Sequence, residues 1–423
     1  MVASAGIAIL VFSPAADIIG NSPPPTPLKL CDVTQFFSPK SGGVRRYILE
    51  KRRYIERETE DEHHLIVPGE RTEHIQEGRL HTFTIASPRV DQTSRYRILL
   101  NTAAIRDYLR QAQPDIIEAG DPYHVAWSVL RAGRELRIPV VGFYHSHFPD
   151  AYLRTVLKYC GPFIRDVVLA YAEDYIVRLY GQFAATLVPS AHLRGLLENW
   201  GVGNAVAVKL GVDTEAFTPG PKDTALRKEL GVPEDAFHLL YVGRLAGEKN
   251  VATLLKAFSL LRRQGKRNWW LTILGDGPQR RLLPAVREET KALHWHSFVN
   301  DNHTLARYYR AADLFVHPGT VETFGLVSLE SQACGCPVAG IRGSSMDANI
   351  AAGLEMWAPR NTPEELAAAI ERFAASDLKS IGTHVAEEVA ARFAWPVVLR
   401  ELWGHYSAAI QRNETRNRSA LRR

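Results

Sequence analysis

The segment Leu314-Phe-Val-His-Pro-Gly-Thr-Val-Glu-Thr-Phe-Gly-Leu-Val-Ser-Leu-Glu330 holds a strand, a turn and the start of a helix in one short run. Leu314 to His317 is a continuous apolar run closed by a histidine, and Pro318-Gly319 ends it as a turn. Gly325 then opens a helical pattern, so Glu322 lies in the loop and Glu330 on the helix. Such strand-to-helix units recur along the chain. In the first half the apolar runs are Leu28 to Val33, Leu65 to Pro68, Leu80 to Ile85, Asp115 to Glu118, Pro139 to Phe143, Thr186 to Pro189 and Ala205 to Leu210. A second series comprises His238 to Val242, Trp269 to Leu274, His296 to Val299, Leu314 to His317, Pro337 to Ile341 and Glu355 to Ala358. Strands alternating with amphipathic helices predict an α/β chain with two doubly wound, Rossmann-like sheets facing across a cleft and a hinge near Leu210 to Lys222. The expected organisation is a leader at 1–27, domains at 28–210 and 211–396, a last helix at 397–410 crossing back to the first domain, and a basic tail at 411–423.

Composition narrows the function. The chain has 423 residues and a net charge of +5, and Gln411 to Arg423 holds five Arg against one Glu, so the body is close to neutral. That excludes a uniformly basic nucleic-acid binder. Cysteines at 31, 160, 334 and 336 show no metal-ligand or Cys-x-x-Cys rhythm and read as reduced cytoplasmic thiols. The leader has an apolar stretch, Ala3 to Phe12, broken by Pro14 and Asp17 and followed by a Pro-rich run; it suits neither a signal peptide nor a membrane span. The Arg-rich tail reads as disordered.

In doubly wound sheets ligands sit beyond the carboxyl ends of the strands. Three such ends in the second series carry compatible parts. Around Gly325, free backbone N–H groups at a helix start suit a phosphate or sugar hydroxyl, with Glu322 and Glu330 to accept from hydroxyls. The loop Gly243-Arg244-Leu-Ala-Gly-Glu-Lys249 offers an Arg fork and a Lys point charge, a pair suited to a diphosphate. Gly275-Asp276-Gly277-Pro278 adds backbone amides. In the first half, Ser41-Gly42-Gly43-Val44 permits close backbone approach, and Tyr144-His145-Ser146-His147 follows a strand. His145 and His147 have no third ligand at metal-binding spacing, so no metal site is expected.

Together these residues resemble the retaining glycosyltransferases of family 4, whose two Rossmann-like domains take the GT-B arrangement. The resemblance runs from Leu28 to Tyr406 and is most specific at Glu322, Phe324-Gly325-Leu326 and Glu330, followed by Ala333-Cys-Gly-Cys-Pro-Val338. It implies transfer of a sugar from a nucleoside-diphosphate donor to an acceptor hydroxyl with retention, and no other cofactor. By the same likeness Arg244 and Lys249 neutralise the leaving diphosphate without a metal, and Glu330 holds the ribose. Glu322 with the amides of Phe324, Gly325 and Leu326 holds the sugar, Gly42, Gly43 and Gly275 line the donor, and His145 meets the reacting centre. The His-Ser-His stretch followed by Tyr152 resembles the subgroup that glycosylates lipids.

The helical stretch Val44 to Glu58 carries six cations against three acids, and Lys51 falls inside its apolar stripe with Arg45 and Arg52 beside it. Such cations either snorkel from a packed face or meet lipid headgroups. The expected partners are thus a nucleotide-sugar donor and, as acceptor, a lipid at an anionic membrane surface, with the enzyme cytoplasmic and peripheral on the inner face. A soluble or polysaccharide acceptor, a sugar-nucleotide epimerase and an inactive sugar-nucleotide-binding subunit are the competing readings. The sequence carries no signal for oligomeric state.

Overall fold

A computed structural model describes residues 27–37, 43–89, 96–145, 161–299 and 301–421. Gly42, His147 and the leader up to residue 26 lie outside these. The first sheet is built from β1 (Lys29–Val33), β2 (Glu62–Gly69), β3 (Glu73–Glu77), β4 (Leu80–Ala86), β5 (Ile116–Ala119), β6 (Val140–Phe143), β7 (Thr186–Val188) and β8 (Ala205–Ala207), in the order β3-β4-β2-β1-β5-β6-β7-β8. Every described pairing is parallel except β3 with β4. The second sheet, from β9 (Phe237–Val242), β10 (Trp269–Leu274), β11 (Leu293–His296), β12 (Leu314–His317) and β13 (Val338–Gly340), runs β11-β10-β9-β12-β13 and is parallel throughout. Helices cover both faces, so central strands bury both sides and read as unbroken apolar runs such as Leu239-Leu240-Tyr241.

Each sheet reverses direction beside its first strand. In the second, β9 sits between β10 and β12, so the three loops with compatible chemistry emerge side by side. In the first, β1 adjoins β5, and α1 (Gly43–Glu58) is the next described element after β1.

Four expectations are corrected. Strand β3, Glu-His-Ile-Gln-Glu, was hidden because it is an exposed edge strand without an apolar run. Strand β11 begins at Leu293 instead of His296; its alternation of Leu293 and Trp295 with His294 and His296 masks a half-buried edge strand. Glu355–Ala358 is no strand: a 3-10 turn at Leu354–Met356 is followed by a lone bridge between Ile341 and Ala358. The last helix runs over Trp395–Leu421, so the basic tail is helical to Leu421, supported by an Arg418–Glu414 pair one turn apart at 3.8 Å and by Asn413 Nδ2 donating to the Arg137 carbonyl at 2.9 Å.

That last helix, α4 in a count that takes α2 as Pro162–Tyr180 and α3 as Leu326–Ala333, belongs to the first domain's core. Trp395, Leu399, Leu402, Trp403 and Tyr406 are buried with Tyr47, Ile48, Tyr54 and Ile55 of α1. The Trp403 indole N–H donates to Asp61 at 2.6 Å. The chain thus crosses between the domains twice, and the crossings touch: Val212 N–H donates to the Phe393 carbonyl at 2.7 Å, and Trp395 N–H to the Val212 carbonyl at 3.3 Å.

The lipid-facing reading of α1 fails here. Lys51 is only 1% exposed and its ammonium lies 2.9 Å from Asp32, 3.2 Å from Glu118 and 2.9 Å from the Tyr406 hydroxyl. Arg52 is also turned inward, donating to His63 Nδ1 at 3.1 Å and to the His81 carbonyl at 2.5 Å. The cations in the apolar stripe serve a buried ionic network against β1, β5 and α4, and no headgroup can reach Lys51.

Candidate active site

The loops after β9 and β12 meet through ionic contacts. Lys249 closes a 3-10 turn, Gly247–Lys249, and its ammonium bonds Glu322 Oε1. His317, the last residue of β12 and 2% exposed, reaches the same oxygen from Nε2 at 3.0 Å. Asn250, in a left-handed conformation, donates from Nδ2 to the Pro318 carbonyl at 2.9 Å and so fixes one loop to the other. Burial works against ionisation of Glu322, but the His317 hydrogen bond and the Lys249 charge outweigh it and lower its pKa to about 2. Because the folded value lies below the unfolded one, Glu322 contributes stability that is complete above about pH 4.5 and is lost as pH falls toward 2. Unfolding followed across that window is therefore expected to show a shallower acid-side loss in Glu322→Gln than in the wild type; parallel curves contradict the ion pair.

Glycines bring the backbones together. A Cβ on Gly275 would stand 1.8 Å from the Gly243 carbonyl oxygen, so the β9 and β10 loops approach closely only with glycine there. Gly325 has φ 87° and packs on Met346, where a Cβ would meet the side chain at 2.6 Å. It precedes α3, whose first N–H groups lack intrahelical partners and give the site a positive end. Phe324 is buried beside Phe393, and its carbonyl accepts from Asn349 Nδ2 at 2.7 Å, which holds this turn in place.

Glu330, on α3, is 2% exposed, and both oxygens are engaged: Arg46 of α1 bonds Oε1 across the cleft, and the Tyr309 hydroxyl donates to Oε2 at 3.1 Å. Arg46 also reaches Asn302 at 3.4 Å. Gly43 faces Leu326, 3.9 Å from where its Cβ would be. The cleft is thus lined by the start of α1 on one side and by α3 on the other.

Arg244 stands apart from this group. It shares the loop with Lys249, but its guanidinium is exposed and pairs with Glu248. His145 follows β6, stacks on Phe143 at 3.9 Å and meets the edge of Tyr47 at 5.5 Å. Burial and the nearby Lys51 charge lower its pKa to about 3, so the imidazole is neutral in the physiological range. The structure therefore joins Lys249 to Glu322, and separately brings Gly43 against Leu326 and Arg46 to Glu330. Sequence reasoning missed Arg46, Tyr309 and His317. Of these only His317 had a visible signal, a histidine ending a strand at the ligand side of a sheet.

Residues 41–216 match the model of Glycosyltransferase Family 4, and residues 222–382 match that of Glycosyl transferases group 1. A GDP-mannose-dependent alpha-mannosyltransferase of Corynebacterium glutamicum is 30% identical over 324 residues, covering 75% of this chain and 73% of that protein. The GDP-mannose-dependent alpha-(1-6)-phosphatidylinositol dimannoside mannosyltransferase of Mycobacterium tuberculosis is 29% identical over 348 residues, 81% and 87% of the two chains. Among solved structures, Anabaena HepE with UDP and glucose superposes with a TM-score of 0.66 at 17% identity, over 90% of this chain and 100% of that one, and so shares the fold. The chain belongs to the retaining glycosyltransferases of family 4, with the GT-B fold, and moves a sugar from a nucleoside-diphosphate donor to an acceptor hydroxyl.

Proposed function

We propose that this enzyme transfers mannose from GDP-mannose to a membrane glycolipid without a catalytic metal. The donor follows from the names of the two mannosyltransferase relatives, and the acceptor from the phosphatidylinositol dimannoside in one of them. The structural observation that carries the lipid is an exposed apolar stripe on α2, in the acceptor-side domain. Phe163, Ile164, Val167 and Tyr171 follow helical spacing and are 80%, 55%, 52% and 71% exposed. Each large apolar side chain placed in lipid gains about 1.5–3 kcal/mol. This stripe replaces α1 as the membrane-facing element; among the described residues no helix is long and apolar enough to cross a bilayer.

In this reading the diphosphate lies at the start of α3 beside Lys249, with Arg244 swinging off Glu248 to share its charge. Neutralising the departing phosphate is the electrostatic part of catalysis, and the donor phosphate itself takes the acceptor proton in a front-face attack. Glu322, held by Lys249 and His317, and the amides of Phe324 to Leu326 receive the sugar. The ribose takes the Glu330 oxygen that Arg46 now occupies, so Arg46 must yield as the donor enters. Gly43 approaches the diphosphate, and neutral His145 offers a hydrogen bond at the reacting centre.

The test is transfer from GDP-mannose to a glycolipid acceptor in vesicles or in detergent. Phe163→Glu with Val167→Glu is expected to lower transfer in vesicles at least tenfold and to leave the detergent rate unchanged. Equal rates in both settings reject the membrane face, and product from UDP-glucose alone rejects the donor.

A further inference from the structure

Outside the cleft, at the outer edge of the first sheet, three histidines and a glutamate converge. Glu62 and His64 lie two apart on β2 and share one face. The β2–β4 register sets His64 directly beside His81, and the antiparallel β3 brings His74 next to it. Nε2 of His64 lies 2.8 Å, and Nε2 of His81 3.1 Å, from the same Glu62 oxygen. The three ligand atoms all fall within 4.8 Å of one another. Ligand atoms around a tetrahedral Zn2+ with bonds of about 2.0–2.1 Å stand roughly 3.3–3.4 Å apart, and the two histidine-to-glutamate separations of 2.8 and 3.1 Å fall just inside that.

The outer nitrogens of both rings are also held. His64 Nδ1 is 2.9 Å from the Tyr108 hydroxyl, and His81 Nδ1 is 3.2 Å from His74 Nε2. Metal-ligating imidazoles characteristically donate their other N–H to such a partner, which fixes tautomer and ring direction. Tyr108 is itself fixed by a parallel stack on Phe83 at 4.4 Å. Lys29 approaches the second Glu62 oxygen at 3.8 Å, leaving the first to the histidines. His64 and His81 are nearly enclosed while Glu62 is 30% exposed, which leaves its carboxylate open to solvent.

We propose that Glu62, His64 and His81 bind a divalent transition metal of the Zn2+ type that staples β2 to β4. On binding, each ring proton sits on Nδ1, directed at Tyr108 or His74, and Nε2 turns its lone pair to the metal. The two rings, now stacked 4.4 Å apart, splay as they do so. The site lies on β2 and β4, one and two strands from β1, and Glu62 pairs with Lys29 at the amino end of β1, opposite the carboxyl ends where ligands bind, so its role is stability of the acceptor-side domain and not transfer.

The experiment is titration of the chelator-treated full chain with Co2+ and Zn2+. The proposal expects one equivalent bound, ligand-field bands of tetrahedral Co2+, and a rise in Tm with free metal by mass action. Glu62→Gln and His81→Asn are expected to abolish the bands, and Tyr108→Phe to weaken binding about 10- to 100-fold as the lost partner of a ligand. Absence of stoichiometric binding in the wild-type chain overturns the site, as does binding that survives both Glu62→Gln and His81→Asn.

Discussion

Lys249→Ala is expected to lower turnover by about 10²- to 10³-fold, roughly 3–4 kcal/mol of barrier, the usual cost of one lost donor to developing negative charge. The residue sits where the β9 loop meets the loop between β12 and α3, and its ammonium pairs with Glu322. Two losses combine in the variant: the charge proposed to face the diphosphate, and the partner that keeps Glu322 ionised. They can be separated. Glu322→Gln needs no cation, so in that background Lys249→Ala should cost only the diphosphate part, and the cycle of four proteins measures the coupling. Steady-state kinetics with a soluble acceptor analogue are the check. Near-normal turnover in Lys249→Ala removes the residue from the donor site.

The second large effect concerns folding. Lys51→Met is expected to destabilise the protein by about 3–5 kcal/mol, because removing one member of a buried ionic group leaves its partners as uncompensated charges. Burial disfavours the Asp32 carboxylate, yet Lys51, joined by His63, holds its pKa well below the ordinary range; at Glu118 burial prevails and the pKa is raised despite Lys51. Tyr406 adds its hydroxyl to both Lys51 and Glu118, so the loss also loosens α4. Thermal unfolding should show the drop, while vesicle binding by the folded fraction should not change. An unchanged Tm with lost vesicle binding would restore the lipid-facing reading of α1.

These two residues show where the sequence is legible. Lys249 could be placed beyond the carboxyl end of β9 because position along a strand-to-helix unit fixes which end of the sheet a loop leaves, and that follows from period and order alone. Lys51 was misread because an apolar stripe containing a cation looks the same whether its partner is a headgroup or a carboxylate from another strand. Asp32 and Glu118 are 19 and 67 positions away from it in the chain, and only the β1–β5 pairing brings them together. The same limit applies to Arg46. Nothing near it in sequence indicates that its partner is Glu330, 284 residues later. Strands with two buried faces were readable as apolar runs, whereas β3 and β11 were missed or shifted because edge strands keep polar residues on one side.

The central claim is that a donor diphosphate is held between Lys249 and the start of α3, and calorimetric binding of GDP and GMP tests it most directly. The account predicts that GDP binds at least tenfold more tightly than GMP, about 1.4 kcal/mol, and that the difference disappears in Lys249→Ala. Equal affinity for the two nucleotides, or a GDP preference that persists in Lys249→Ala, contradicts it.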